Sequence, residues 1–375
     1  MRYGPLPARM RRTTVRAPPA GPPQRRDMRF FIDFDNGDLI RGWIVPDNPL
    51  AISRVVVAVD GRRMAEIPAA IVDEAFKRNG WHSTGQCTFE LTDGTVPGLS
   101  DLRRLELYDA DTNVMIYRRV PRDGLVMQRV LLLNTGIHPE TVIQGTLFRH
   151  FQQSYFGLHR MSDEILTSIF ASQAMPSSLL SGSIVVPRYE SLFTPDLMLT
   201  TILLHDPHVE MATRMLWLRA RAQAAADPAR SWRVGRHAES ALFAEDCDFT
   251  DVKSLKRFFK MLPEAAYHLL YNPLTRQLGT RLPDDRVHPG NSIVAIEILA
   301  RVGIVGHRDY FEAFVSTLLD RLGIDEAVPA PTPIPSEALA LAERLRSVKA
   351  VADMLVFDIA MSDAVRGSVA KGWAN

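Results

Sequence analysis

One stretch of the sequence combines a buried-strand pattern, a polar turn and a helical pattern. Residues 130–133 are all apolar, which is typical of a strand inside a parallel sheet. Residues 134–141 (NTGIHPET) form the turn, and apolar residues then recur at helical spacing as far as residue 153. Such a turn points the free amides of a helix start at whatever lies above the sheet, which creates an anion site. An ordinary strand-to-helix connection has the same pattern, so both interpretations stay open.

A histidine shortly after this segment is the candidate general base. His159 follows the predicted helix and lies close after Tyr155. Histidine accepts a proton near neutral pH, which base catalysis on a hydroxyl requires. The alternative is a surface or capping histidine beside Arg160. Asp163 and Glu164 are other possible bases, although at a helix start they also suit the helix dipole.

Three motifs resemble those of carbohydrate sulfotransferases of the heparan and chondroitin type. That family has a phosphosulfate loop H-I-P-K-T-G-G-T, with which residues 134–141 align without a gap. Its second phosphate element, L-R-D-P-x-x-R, resembles residues 204–210 (LHDPHVE). Its later helix N-x-x-T-R-x-L resembles residues 272–278 (NPLTRQL). The likenesses occur in the family's order across residues 128–366.

The resemblance implies a fold, a reaction and site residues. The fold is a three-layer α/β domain of the sulfotransferase type, similar to P-loop NTPases, with a parallel sheet and a C-terminal helical part. The reaction is transfer of a sulfuryl group from 3′-phosphoadenosine 5′-phosphosulfate (PAPS), without a metal, to a hydroxyl of a glycan or polysaccharide partner. By analogy with the uronosyl 2-O-sulfotransferase branch, His159 is the catalytic base. The residues expected to bind the co-substrate are Asn134, Gly136, His138, Thr141, His205 and Thr213.

The sequence departs from the family pattern at the charged positions. Ile137 stands where the family has the loop lysine, and Pro139 and Glu140 replace two glycines. His205 and Glu210 replace the two arginines of the second element. Each lost hydrogen bond to a charged group is worth about 1.5–3 kcal/mol. Transfer is therefore expected to be weak or lost, and the alternative is a non-catalytic glycan-binding or scaffold protein in polysaccharide biogenesis.

The amino-acid composition excludes several classes of protein. The chain has 375 residues, of which 46% are hydrophobic, and a formal net charge of +1. This balance provides no overall field for nucleic acid, so no such partner is expected. Two distant cysteines, with no C-x-x-C pair, predict neither a disulfide framework nor a zinc site and favour a cytoplasmic location. No apolar run reaches the roughly 18 residues that a transmembrane segment needs.

Changes in residue composition and in apolar spacing along the chain predict three segments. Residues 1–27 are rich in arginine and proline and are expected to form a disordered tail. Residues 28–125 contain short β-branched or aromatic runs between turn signals, which predicts a small β-sandwich accessory domain. Its two central tryptophans, Trp43 and Trp81, serve either as core or as a carbohydrate or partner contact. Residues 126–375 form the α/β domain.

Within the α/β domain, alternating patterns predict strands and helices with one long break. Further strands are expected at residues 183–186 and 199–204. Helices are expected at residues 141–153, 208–226 and 264–278, with a loop or lid at residues 227–250. Arg219, Arg221 and residues 230–236 form a basic cluster around Trp232, which either holds a sulfated or acidic glycan or is a solvated loop.

Overall fold

The computed structural model describes residues 29–46, 48–121, 124–171, 176–193 and 197–373. The tail predicted at residues 1–27 lies outside the described residues. The described part contains two antiparallel four-stranded sheets and one parallel five-stranded sheet together with helices, so the protein is mixed α/β. Within these ranges, no helix is both long and apolar enough to cross a membrane.

The antiparallel sheets lie in the N-terminal part of the chain and pack around a shared apolar interior. They are ordered β1-β2-β6-β5 and β4-β3-β7-β8. Asp60 and Gly61 both have positive φ, 48° and 74°, which confirms the two-residue hairpin turn that the sequence signals between β3 and β4. The elements are β1 (Arg29–Asp35), β2 (Leu39–Val45), β3 (Arg54–Val59), β4 (Arg62–Pro68), β5 (Ile71–Val72), α1 (Glu74–Arg78), β6 (Gln86–Thr92), β7 (Leu105–Asp109) and β8 (Met115–Arg119).

The two tryptophans form an aromatic cluster against α1. The Trp43 ring centroid lies 4.9 Å from that of Phe76 and 6.0 Å from that of Trp81. The Arg29 guanidinium lies over the Trp81 ring. Both tryptophans are half-buried and pack against the buried side chains of this cluster, as the core interpretation predicts.

The parallel sheet is the centre of the larger part of the chain. Its order is β10-β11-β9-β12-β13, and every residue of β9 is buried. Helices pack on both faces of this sheet. On one side lie α2 (Thr141–Phe148) and α12 (Phe311–Leu322), and on the other lie α3 (Asp163–Ala171), α10 (Pro273–Gly279), α11 (Pro289–Arg301) and α15 (Val356–Trp373). The strands are β9 (Arg129–Leu133), β10 (Gln153–Phe156), β11 (Ser178–Gly182), β12 (Met198–Leu204) and β13 (Ile304–His307). The first helices are α2 (Thr141–Phe148), α3 (Asp163–Ala171), α4 (Val186–Tyr189) and α5 (Pro207–Arg219).

A second, all-helical core adjoins α5. Apolar side chains of α5, α7, α8, α9, α13 and α14 form it. The remaining helices are α6 (Ala222–Ala226), α7 (Ala238–Glu245), α8 (Val252–Lys260), α9 (Glu264–Leu270), α10 (Pro273–Gly279), α11 (Pro289–Arg301), α12 (Phe311–Leu322), α13 (Ser336–Arg346), α14 (Lys349–Met354) and α15 (Val356–Trp373).

Several expected boundaries are wrong. The helix expected at residues 141–153 ends at Phe148, because residue 153 already begins β10. The strand expected at residues 183–186 lies at Ser178–Gly182 instead. The region expected as a loop at residues 227–250 contains α7. The helix expected at residues 264–278 is divided into α9 and α10, since Asn272 has a φ of 40° and a proline follows it.

The two antiparallel sheets, together called the sandwich below, are held to the parallel sheet by buried contacts of Arg118 in β8. Its amide donates to the Gln153 side chain, and its guanidinium donates to the carbonyls of Phe148 and Phe151 at 2.6 and 3.1 Å. One apolar cluster also continues from the sandwich into the sheet. The separation at residue 125 into an accessory domain and an α/β domain therefore stays a prediction.

A largely buried ion pair joins β1 to β8. Arg119 donates to both carboxylate oxygens of Asp35, from Nε at 2.7 Å and from Nη2 at 2.5 Å. Tyr117 donates a further bond at 2.7 Å. Burial alone would raise the pKa of Asp35, but the bonds from Arg119 and Tyr117 outweigh it and hold the pKa below its ordinary value of 3.8.

We predict that Arg119→Met lowers the free energy of unfolding by about 3 kcal/mol at pH 7, since it leaves a buried carboxylate unpaired. The stability from Asp35 is present above its unfolded pKa and is lost as pH falls through the lower folded pKa. The difference between wild type and variant should therefore shrink below pH 3.8. Urea unfolding at pH 7 and at acid pH measures it. Arg41→Met, at the more exposed pair with Glu90, is the control and should cost less than about 1 kcal/mol; equal losses would contradict the prediction.

Candidate functional site

The carboxyl ends of β9 and β12 form a topological switch point. These strands are neighbours, but from β9 the chain continues to β10 at one edge of the sheet, and from β12 it continues to β13 at the other. Ligands of open parallel sheets bind in the crevice beyond such a pair of strands. The turn after β9, residues 134–140, and the turn after β12, residues 205–206, therefore define the first candidate site.

The two turns face each other in direct contact. The Thr135 hydroxyl donates to the Leu203 carbonyl at 2.8 Å. The Ile137 amide donates to the Glu210 carboxylate of α5 at 2.7 Å, and the same oxygen accepts a bond from Arg214 Nε at 2.6 Å. A loop amide of the kind that would bind an anion therefore already donates to a carboxylate of the protein.

A second carboxylate lies at the start of α2. Glu140 is the N-cap residue, and its two oxygens lie 3.1 Å from His205 Nε2 and 3.1 Å from Arg308 Nη1. Burial alone would raise the pKa of Glu140, but His205 and Arg308 outweigh it and lower the pKa below its ordinary value. Glu140 is therefore a buried anion at the end of the helix that an external anion would approach.

The candidate co-substrate residues divide into three groups. Asn134, Gly136 and His205 lie where the two turns meet. His138 and Thr141 are exposed. Thr213 donates back to the Val209 carbonyl within α5 at 2.8 Å. The structure thus brings together only part of the expected set.

These residues do not fit PAPS. Glu140 and Glu210 would face its phosphates with like charge, which repels strongly in a poorly hydrated site. The nearby cations, Arg214 and Arg308, are already paired with these carboxylates. The fit fails through the side chains that are present, and no transfer step through the nucleotide follows from this geometry.

A cleft of about 350 Å³ lies beyond the carboxyl ends of β10 and β11, on the same side of the sheet as the two turns. We name it the arginine cleft, because its ionisable lining is mostly cationic. It is built by the turn after β10, by α4 after β11, and by parts of α5, α9 and α10. Its ionisable side chains are Arg188, Arg214, Arg236, Arg276, His159, His237, His268 and Asp163.

His159 enters this cleft because its turn packs on the end of β11. The turn Leu158–Arg160 follows Gly157, which has a φ of 72°. A Cβ on Gly182 would lie 2.4 Å from the Leu158 amide nitrogen, so the backbones approach more closely than any other residue allows. The Gly182 carbonyl also accepts the Asn134 amide at 3.0 Å. The predicted base, His159, and the predicted loop, residues 134–141, therefore both lie at the carboxyl ends of the parallel strands.

The arginines of the cleft were missed from the sequence, apart from the cluster at residues 230–236. Arg188, Arg214 and Arg276 are far apart along the chain and meet only through the fold. The N-x-x-T-R-x-L likeness did include Arg276, but no local pattern assigned it a function.

Among the described residues, no group of three or more histidine, cysteine, aspartate or glutamate side chains could hold a metal ion.

Comparisons with known proteins give this geometry no family. No family model matches the chain, and no curated protein or solved structure matches it significantly. The class that the structure defines is a mixed α/β protein with a five-stranded parallel sheet, and any finer assignment is a proposal.

We predict that Gly182→Ala displaces the His159 turn and lowers the free energy of unfolding by about 1–3 kcal/mol, since the added methyl group has no room. Gly145→Ala is the matched control, because a Cβ there meets nothing within 4 Å and alanine favours the helix. Thermal unfolding compares the two variants. A neutral Gly182→Ala would show that the turn can move freely away from β11.

Proposed function

We propose that this chain is a sulfotransferase-like protein that binds an acidic glycan without nucleotide-dependent sulfuryl transfer, as a binding or scaffold component of polysaccharide biogenesis. One observation carries the proposal. The turn that resembles a nucleotide cradle donates to the protein's own Glu210 carboxylate, while an arginine-lined cleft lies at the same sheet edge.

The likeness to sulfotransferases is supported by contacts between the three motifs. The Gln277 side chain of the third motif donates to the Asn134 carbonyl of the first at 3.0 Å. Glu210 of the second motif accepts the Ile137 amide of the first. Contacts between residues 73 and 143 positions apart therefore bring the motifs together at the switch point, where a common ancestral site would place them.

An acidic glycan suits the charge of the cleft. Guanidinium groups pair with carboxylate and sulfate groups through two parallel hydrogen bonds, which gives both affinity and orientation. The lining provides four arginines and only one carboxylate, that of Asp163. Among the described residues, Arg188, Arg214 and Arg236 already pair with carboxylates, so a neutral glycan would leave Arg276 without a counter-ion and an anionic one is favoured.

A second candidate function is transfer from PAPS to that glycan. One observation favours it, because His159 lines the cleft in which the acceptor hydroxyl would lie. In that case His159 would accept the hydroxyl proton. The carboxylates at the switch point count against it, as argued above.

We predict that calorimetric titration at low salt detects binding of a uronate oligosaccharide and no binding of 3′-phosphoadenosine 5′-phosphate. The oligosaccharide affinity should fall as salt rises, because the contacts are ionic. Arg188→Met should weaken it, whereas Arg301→Met, which breaks the pair with Glu190 outside the cleft, should not. Micromolar nucleotide binding that is lost in His205→Ala would overturn the proposal in favour of the enzyme.

We further predict that Glu140→Gln combined with Glu210→Gln makes binding of 3′-phosphoadenosine 5′-phosphate detectable by the same titration. The change removes two negative charges and leaves Arg214 and Arg308 free to bind phosphate. Glu343→Gln, an exposed residue, is the control. Unchanged affinity in a folded double variant would argue against a nucleotide-binding ancestry of this turn.

A further inference from the structure

One arginine of the cleft has no counter-ion. Arg276 is only 9% exposed, and its Nη1 donates to the backbone carbonyls of Asp285 and Pro283, at 2.5 and 3.4 Å. Its buried Nε has no hydrogen-bond partner. Within the described ranges, Arg276 forms no ion pair with a carboxylate, whereas Arg188, Arg214 and Arg236 each form one.

A buried guanidinium without a counter-ion is costly. Carbonyl oxygens accept its hydrogen bonds but do not neutralise its charge, and an unpaired buried ion is strongly destabilising. Burial accordingly lowers the pKa of Arg276, although arginine stays charged. Such a cost is acceptable where a ligand supplies the missing charge, and Arg276 lines an open cleft.

The carboxylates nearest in sequence are engaged elsewhere. Asp285 Oδ2 accepts the amides of Arg281 and Leu282, at 3.1 and 2.8 Å. Asp284 pairs with Arg236 at 2.5 Å. Neither can turn to Arg276 without giving up these bonds, so the protein does not readily provide the counter-ion itself.

The helix that carries Arg276 is held rigidly. Asp358 of α15 accepts the amides of Leu274 and Thr275 at the start of α10, at 2.9 and 2.8 Å. At the other end, Gly279 packs so closely on α11 that a Cβ would lie 2.1 Å from the Asn291 carbonyl oxygen. The guanidinium is therefore held in place before any ligand binds, which limits the entropy cost of binding.

We propose that Arg276 anchors an oxyanion subsite in the arginine cleft, filled by a carboxylate or sulfate group of the bound saccharide. Nη1 faces the loop carbonyls, and the buried Nε has no hydrogen-bond partner among the described residues, so the guanidinium keeps a donor that is left for an oxyanion. The saccharide as ligand rests on the proposed function; the subsite rests on the burial and missing counter-ion of Arg276.

The test uses Arg276→Met and Arg276→Lys in the full chain. Titrations with a uronate oligosaccharide, with a sulfated neutral oligosaccharide and with the uncharged parent sugar distinguish carboxylate from sulfate as the bound group. We expect Arg276→Met to weaken binding of the preferred anionic sugar at least tenfold, and Arg276→Lys to weaken it less. Arg301→Met, which removes an exposed arginine paired with Glu190 outside the cleft, is the matched control and should cost less than threefold.

Thermal unfolding supplies a readout that a purely structural arginine would not change. Sulfate, compared with chloride at equal ionic strength, should raise the Tm of wild type but not of Arg276→Met. Without added anions, Arg276→Met should melt no lower than wild type, because it removes an unpaired charge. If Arg276→Met does not fold, a smaller sulfate effect in Arg276→Lys than in wild type serves the same purpose.

The outcomes separate the two proposals. If the anionic sugar binds Arg276→Met and wild type equally, the subsite is overturned and the proposed function stands. If no sugar binds wild type, yet sulfate raises its Tm through Arg276, the subsite stands and the proposed function fails. No sulfate effect together with no sugar binding overturns both.

Discussion

The bond from the Ile137 amide to the Glu210 carboxylate fixes the edge of the sheet on which both candidate sites depend. Glu210 also accepts from Arg214, which in turn donates to the carbonyls of Thr135 and Leu269. One carboxylate–guanidinium pair thus joins the turn after β9 to α5 and α9. Both side chains are about nine-tenths buried, so either partner left alone would be strongly destabilising.

This pairing separates two charge environments that lie side by side. At the switch point, Glu140 and Glu210 neutralise the cations around them. In the arginine cleft, three of the four arginines are paired with carboxylates, and Arg276 has no ion-pair partner among the described residues. The cleft therefore attracts an external anion, whereas the carboxylates at the turn repel one. This holds even though the backbone of the turn follows the path of an anion-binding loop.

The sequence predicts those strands and turns whose residue types alone indicate whether they are buried or form a turn. β9 and β12 are almost wholly apolar, and the turn at Asp60 needs the two residues it has. β11 was misplaced because Ser178, Ser181 and Gly182 look like loop residues; the sheet buries them, and Gln144 donates to Ser181 to satisfy its hydroxyl. The cleft could not be predicted, because its arginines converge only through tertiary packing.

The sandwich also contributes to the first site, through α2. This helix has eight residues. Its start carries Glu140, held by Arg308. At its other end, the guanidinium of Arg118 from β8 donates to the carbonyl of Phe148, the last residue of α2, and to that of Phe151 just beyond it. A cation at a helix C-terminus satisfies carbonyls that have no partner within the helix and favours the helix dipole. Because both ends of so short a helix are fixed, the position of the turn before it depends on how the sandwich packs on the parallel sheet.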